Sequence, residues 1–193
     1  MTGSGFAPSA SDPAGRIAVA LLPASASDQP AWVERVTTLI NEVYAASEGG
    51  LWRDGATRTS RDEIAELTRA GQIAVARLAG RIVGCVRVRR YDAGTGEFGM
   101  LAADPARRGA GIGRELVRFA ERTCRADGLR VMRLEVLVPR NRNHPAKQFL
   151  IGWYSRMGYR LARTETVDET YPELVPLLAT PADIAVYHKA LAP

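Results

Sequence analysis

The chain has 193 residues, 46% hydrophobic and 24% charged, ordinary values for one globular domain long enough to bury a substantial core. Its net charge of +5 comes from 24 arginines against two lysines, Lys147 and Lys189; the arginines alternate with acids, as in Arg114-Glu115 and Glu121-Arg122, and form no basic stripe of the kind that tracks a nucleic-acid backbone. No apolar run reaches the length of a membrane span, two cysteines, Cys85 and Cys124, build no disulfide framework, and two distant histidines, His144 and His188, offer no metal-ligand cluster, so the expectation is a protein without membrane, metal or nucleic-acid partner, in a reducing cytoplasm by default.

Taken in order, residues 1–15 lack a basic region followed by an apolar core and read as a disordered leader, leaving 16–193 as the folded domain. Arg16 to Leu22 is apolar and weakly alternating, a first strand. Trp32/Val33, Val36, Leu39/Ile40 and Val43/Tyr44 recur at helical spacing. After a polar, glycine-rich stretch carrying Trp52, Ser60 and Glu63 have capping-box spacing and open a second helix that Gly71 ends. Gln72 to Leu78 and Arg81 to Tyr91 form a hairpin about Ala79-Gly80, and Asp92 to Thr95 turns the chain into a central strand, Glu97 to Ala103. Gly94-Thr95-Gly96-Glu97-Phe98-Gly99 matches the dinucleotide fingerprint G-x-G-x-x-G, but it precedes a strand where that fingerprint requires a helix, and reads as a turn.

Asp104-Pro105 stops the central strand, because proline has no N–H for a ladder. Arg107-Arg108-Gly109-Ala110-Gly111-Ile112-Gly113 then opens a helix whose apolar face is Ile112, Leu116, Phe119, Ala120 and Thr123-Cys124, with Gly128 as its left-handed cap. A glycine-spaced loop entering a helix N-terminus exposes unpaired amides and the positive end of the helix dipole, which is an anion site, most naturally for phosphate or pyrophosphate. Val131 to Val138 alternates and should lie parallel to the central strand. Asn143, His144 and Pro145 start a further helix, with Phe149/Leu150, Trp153/Tyr154 and Met157 as its apolar face before Gly158. Two strands follow, Tyr159 to Val167 and Asp183 to Ala190, separated by a proline-broken segment. The order β-α-α-β-β-β-α-β-α-β-β implies an α/β (α+β) domain, a mixed, mostly antiparallel sheet with helices on both faces.

Arg108-Gly109-Ala110-Gly111-Ile112-Gly113 resembles the Arg/Gln-x-x-Gly-x-Gly/Ala signature of the GNAT superfamily of acyl-CoA-dependent N-acyltransferases. It stands after a strand and at a helix start, as it does there, and the element order from about Ile17 to Leu191 is also similar. The resemblance implies that the loop from Arg107 through Arg108, Gly109, Ala110, Gly111, Ile112 and Gly113 to Arg114 holds the pyrophosphate of acetyl-CoA. It also implies that Leu101 and Ala102 pair their backbone with the pantetheine arm. Trp153-Tyr154-Ser155-Arg156-Met157-Gly158-Tyr159 resembles the family's Tyr-x-x-x-Gly-Phe/Tyr segment, which makes Tyr154 the proton donor to the departing thiolate. Many members carry asparagine seven residues before that tyrosine as a further CoA contact; here the position is Lys147, either a cofactor contact or a surface lysine.

N-acyl transfer also needs a neutral amine and an oxyanion donor. Glu97, eleven residues before Arg108, has the spacing of the glutamate proposed as base in the histone-acetylating branch, and equally reads as an exposed glutamate at a strand start. Glu135 on the neighbouring strand is the alternative base, and water alone a third. The oxyanion donor would be an amide near Leu101 or Ala102 freed by a bulge. The resemblance places the acceptor among Glu48, Trp52, Arg53, Asp54 and the segment Asp168-Glu169-Thr170-Tyr171; acids there suit a cationic amine, while Arg53, Arg58 and Arg140 suit a carboxylate-bearing one. The implied function is N-acetyl transfer to a primary amine of a small molecule or peptide, with non-catalytic acyl-CoA sensing as the rival. The oligomeric state stays open, a homodimer included.

Overall fold

A computed structural model describes residues 15–141 and 143–192; apart from Gly15, the leader read over 1–15 lies outside the described residues. Seven strands form one sheet: β1 (Ala18–Leu21), β2 (Ile73–Leu78), β3 (Arg81–Arg90), β4 (Thr95–Ala103), β5 (Val131–Pro139), β6 (Arg160–Thr166) and β7 (Ala182–Ala190). Their spatial order is β1-β2-β3-β4-β5-β7-β6, and every pairing is antiparallel except β4 with β5. The β2–β3 hairpin turns through Ala79 and Gly80 at φ 49° and 75°, the paired left-handed geometry that matches strand twist.

Helices cover both faces. On the first face lie α1 (Pro30–Ser47) and α2 (Arg61–Arg69). There Val33, Val36, Leu39, Ile40 and Ile64 pack on Ile73, Val75, Cys85, Met100 and Ala102. The second face carries α3 (Ile112–Ala126) and α4 (Pro145–Arg156); Ile112, Leu116, Val117, Ala120 and Cys124 share a core with Phe98, Met132, Leu134, Tyr154 and Tyr159. A third cluster joins Trp52 to Val167, Leu178, Ile184 and Val186 beside a short helix α5 (Val167–Thr170).

Local chemistry accounts for most boundaries. Ser60 Oγ accepts the Glu63 N–H at 3.1 Å and caps α2; the Glu63 carboxylate bonds the Thr59 hydroxyl at 2.7 Å, so the reciprocal half of the capping box is replaced. Gly128 ends α3 at φ 77°. Two details differ from the periodic reading. In α3 the buried set includes Val117 and Glu121, and Glu121 faces inward because Tyr159 and Lys189 bond its carboxylate, both at 2.8 Å. In α4, Phe149 is 63% exposed and the buried side chains are Lys147 and Tyr154.

Candidate active site

Beta-strands β4 and β5 pair only at Thr95/Val131, Gly96/Met132 and Glu97/Arg133, then separate. Just past that point β4 is bulged. Between the pairs Arg87/Gly99 and Cys85/Ala102, β3 advances by two residues and β4 by three, and Met100 takes φ 49°, uncommon for a side-chain-bearing residue. The extra residue switches the facing of the strand: Phe98 belongs to the core under α3 and Met100 to the core under α1. A wedge-shaped gap thus opens in the middle of the sheet, with an irregular stretch of backbone, Met100 to Ala102, along one side.

The chain leaves β4 through a 3-10 turn, Pro105–Arg107, capped by Asp104, whose side chain accepts the Ala106 N–H. Gly109 and Gly111 adopt φ 88° and 82°, conformations that cost glycine nothing. The N–H of Arg108 bonds to Pro105 and that of Ala110 to Arg107. The first intrahelical bond of α3 is from Glu115 N–H to Gly111 at 3.0 Å, so the amides of Ile112, Gly113 and Arg114 have no helical acceptor. Arg108 is exposed at the rim, whereas Arg107 leans towards Asp104 at 3.7 Å. This is a cradle of backbone donors in a positive field, and it fits a pyrophosphate.

Tyr154 is 6% exposed, with ring centroids 5.9 Å from Phe98 and Tyr159 and 5.0 Å from Trp153. Its hydroxyl has no hydrogen-bond partner among the described residues. Burial, then the nearby Tyr44, raises its pKa above the ordinary phenol value, so it stays protonated. Tyr44 is on α1 and Tyr154 on α4, in the cores on opposite faces of the sheet, yet near enough for Tyr44 to act on the Tyr154 hydroxyl. Lys147 links the same two faces: buried, it forms an ion pair with the equally buried Glu48 at the end of α1, whose other oxygen takes the Trp52 indole N–H. That pair turns Lys147 inward and leaves Phe149 outside.

Glu97 is neither exposed nor alone. Its Oε1 receives Arg89 at 2.7 Å and its Oε2 receives Arg133, which also reaches Glu135 and lies 4.1 Å from the centre of the Tyr91 ring. The Tyr171 hydroxyl donates to Glu135 Oε2 at 2.7 Å. Two guanidinium groups and two carboxylates therefore sit at the closed end of the gap.

A model of the Acetyltransferase (GNAT) family matches residues 37–159. This chain belongs to the GNAT acetyltransferase family. Its fold is similar to that of an aminoglycoside 6′-N-acetyltransferase complexed with coenzyme A, at TM-score 0.67 and 13% identity, over 91% of this chain and 98% of that one. It is likewise similar to the IAA acetyltransferase from Bacillus cereus ATCC 14579, at TM-score 0.58 and 17% identity, over 91% and 100%. A GNAT family acetyltransferase from Elizabethkingia anophelis with acetyl-CoA bound aligns at TM-score 0.53 and 18% identity, over 68% and 84%. No curated protein matches the chain in sequence.

In this GNAT chain several of the groups named for the acceptor are held by contacts within the fold. Trp52 pairs with Leu178, and Arg53 bonds the carbonyls of Leu177 through its N–H and Leu178 through its side chain, at 2.9 and 3.1 Å; the α1–α2 loop is thereby stitched to the segment after α5. Arg140 is spent on Asp168 and Asp183 at 3.2 and 2.6 Å. Arg58 lies over the Tyr44 ring at 5.3 Å. Sequence reasoning missed Arg87, Arg89, Arg133 and Tyr91. The alternation of Arg87 and Arg89 with Val86 and Val88 was the available signal, since it puts both guanidiniums on the face opposite the valines. Among the described residues no cluster of His, Cys, Asp and Glu is arranged to hold a metal, and no helix is long and apolar enough to cross a membrane.

Proposed function

We propose that the protein is an acetyl-CoA-dependent N-acetyltransferase in which a primary amine attacks the thioester directly in a ternary complex. One observation supports the reading: β4 parts from β5 past Glu97 and is bulged at Met100 to Ala102, it runs on into the free amides at the start of α3, and Tyr154, its hydroxyl unbonded, packs on Phe98 of the same strand. Acetyl-CoA supplies the acyl group and the thiolate leaving group. On this reading the loop from Arg107 to Arg114 holds the pyrophosphate, and Leu101 and Ala102 present backbone to the pantetheine arm and an amide to the developing oxyanion. Tyr154, kept protonated, gives its proton to the thiolate. Glu97 takes the amine proton through water, and Glu135 is the alternative acceptor. Lys147 acts on the cofactor side only after its bond to Glu48 rearranges.

The test is thermal unfolding with and without acetyl-CoA, followed by acceptor-dependent thiol release. Ligand at a hundred times its dissociation constant adds about 2.7 kcal/mol, a rise of roughly 5–10 °C for a chain of this size. A CoA analogue without the pyrophosphate should give no rise; absence of a shift at millimolar acetyl-CoA overturns the proposal. A second reading, an acyl-CoA sensor without turnover, is favoured by the Glu48–Lys147 pair that spans the gap and by the engagement of both Glu97 oxygens. It predicts the thermal shift without thiol release over a broad amine panel.

A further inference from the structure

Several of the charges named for the acceptor, or near them, are paired. Glu48 is neutralised by Lys147, Asp168 and Asp183 by Arg140, and Glu97 and Glu135 by Arg89 and Arg133. Three cations, Arg53, Arg58 and Arg87, have no carboxylate partner among the described residues, and Arg53 is held by the carbonyl of Leu178. Arg87 is half-buried on β3; its Nε donates to the neutral amide of Gln72 at 3.0 Å, and among the described residues no carboxylate lies within ion-pair distance of it. Arg58 has the Tyr44 ring beneath it and likewise no carboxylate partner. The carboxylate that acts on Arg87 is Glu63, and it is occupied by the Thr59 hydroxyl.

The space in front of Arg87 is open. Its neighbour across the ladder is Gly99, at the start of the bulge, where a Cβ would meet nothing within 4 Å, so a ligand can come close to the strand there. The electrostatics agree, since burial and then the like charge of Arg89 push Arg87 below its ordinary pKa, with Arg58 adding to the effect, so that a charged Arg87 lacks a counter-ion. Tyr44 connects this spot to the reaction centre: it carries Arg58 on its ring at 5.3 Å and is close enough to Tyr154 to act on its ionisation.

We propose that the acceptor amine carries a carboxylate, which docks on the guanidinium groups of Arg87 and Arg58 above Gly99 while the amine points towards the gap beside Tyr154. A planar carboxylate accepts paired N–H bonds from guanidinium and supplies the missing counter-charge. This rests on the acetyltransfer reading and narrows its substrate class from any primary amine to amino acids or related amino carboxylates.

The experiment compares matched acceptors, each α-amino acid and β-alanine against the corresponding amide, in thiol release with acetyl-CoA. Expected is a preference of about tenfold or more in kcat/KM for the acid over its amide in the accepted pair, the scale of a charge-assisted hydrogen bond. Arg87→Met should erase that preference through acceptor KM while leaving acetyl-CoA KM and the unfolding temperature close to wild type, and Gly99→Val should raise acceptor KM in the same way. A binding arm does not depend on turnover: with CoA present, calorimetry of the N-acetylated acids and their amides should show the acid binding at least tenfold tighter, a difference absent in Arg87→Met. Equal use or equal binding of acid and amide overturns the proposal, as does preference for a phosphorylated amine, or a preference for the acid that survives Arg87→Met. Loss of thiol release with every acceptor, while calorimetry still favours the acid, would count against acetyl transfer and leave the carboxylate site standing.

Discussion

At Tyr154 a phenol is buried among aromatic rings and its hydroxyl has no partner within the described fold. Removing that oxygen therefore costs the folded state little, while general acid catalysis contributes about 10²- to 10⁴-fold where it operates. Tyr154→Phe is expected to lower kcat by about a hundredfold with acetyl-CoA affinity and unfolding temperature unchanged; unaltered turnover would remove Tyr154 as the proton donor. A second residue sets a pH dependence. Burial lowers the pKa of His188 on β7, and the positive charges of Arg163 and Arg133 lower it further, against a weaker opposing pull from Asp92. The unfolded chain binds a proton there below about pH 6.5 and the folded chain only at lower pH. Between the two the unfolded state holds more protons, so stability is full above about pH 6.5 and declines as acid is added. The urea midpoint should fall between pH 7 and pH 5, and His188→Gln should flatten part of that fall. The burial of Tyr154 on its helix and the left-handed glycines before α3 were legible because local spacing carries them. What Glu97 and Lys147 touch was not legible, because Arg133 and Glu48 reach them from distant parts of the sequence.

Among the elements, α3 lies so close on the sheet that two glycines define the contact. A Cβ on Gly96 would stand 2.3 Å from Cys124 Sγ, and one on Gly84 would stand 2.6 Å from an Ile112 methyl. Both glycines have ordinary negative φ, so close approach and not backbone freedom requires them. Gly96→Ala is expected to cost about 1–3 kcal/mol by overpacking, read as a lower urea midpoint at unchanged slope; by tilting α3 it should also weaken acetyl-CoA binding. The strands and helices themselves could be read from the chain, because turns such as Ala79-Gly80, caps such as Ser60 and Gly128, and periodic apolar residues are all local signals. The bulge at Met100 could not. It has no glycine at its left-handed position, and it follows from how β3 and β4 align, which depends on packing on both faces. For the same reason Phe149 looked internal: its spacing fits the buried face of α4, but the Lys147–Glu48 pair sets the rotation of the helix.

On the scale of the whole molecule, the sheet consists of two parts, β1–β4 and β5–β7, joined by three residue pairs between β4 and β5. So short a parallel seam would be a weak hinge, and side chains reinforce it at both ends. At the closed end Arg133 on β5 binds Glu97 on β4. At the open end Lys147 on α4 binds Glu48 on α1, with their side chains 6% and 5% exposed, while Ala179 N–H bonds Leu51 at 2.9 Å and Trp52 pairs with Leu178. The Lys147–Glu48 pair is the member of this set that crosses the gap where the thioester would lie, so it must serve the fold without blocking the ligand. Lys147→Met leaves a buried carboxylate without its cation, a change that costs about 3–5 kcal/mol, whereas replacing both charges by apolar groups of similar size is often near neutral. The expected result in urea unfolding is a large loss for Lys147→Met, and recovery of most of it when Glu48→Leu is added. If acetyl-CoA displaces the pair on binding, the double variant should bind acetyl-CoA at least as tightly as the wild type, because no ion pair then has to be broken. Weaker binding by a double variant of wild-type stability would instead make Lys147 a direct contact to the cofactor.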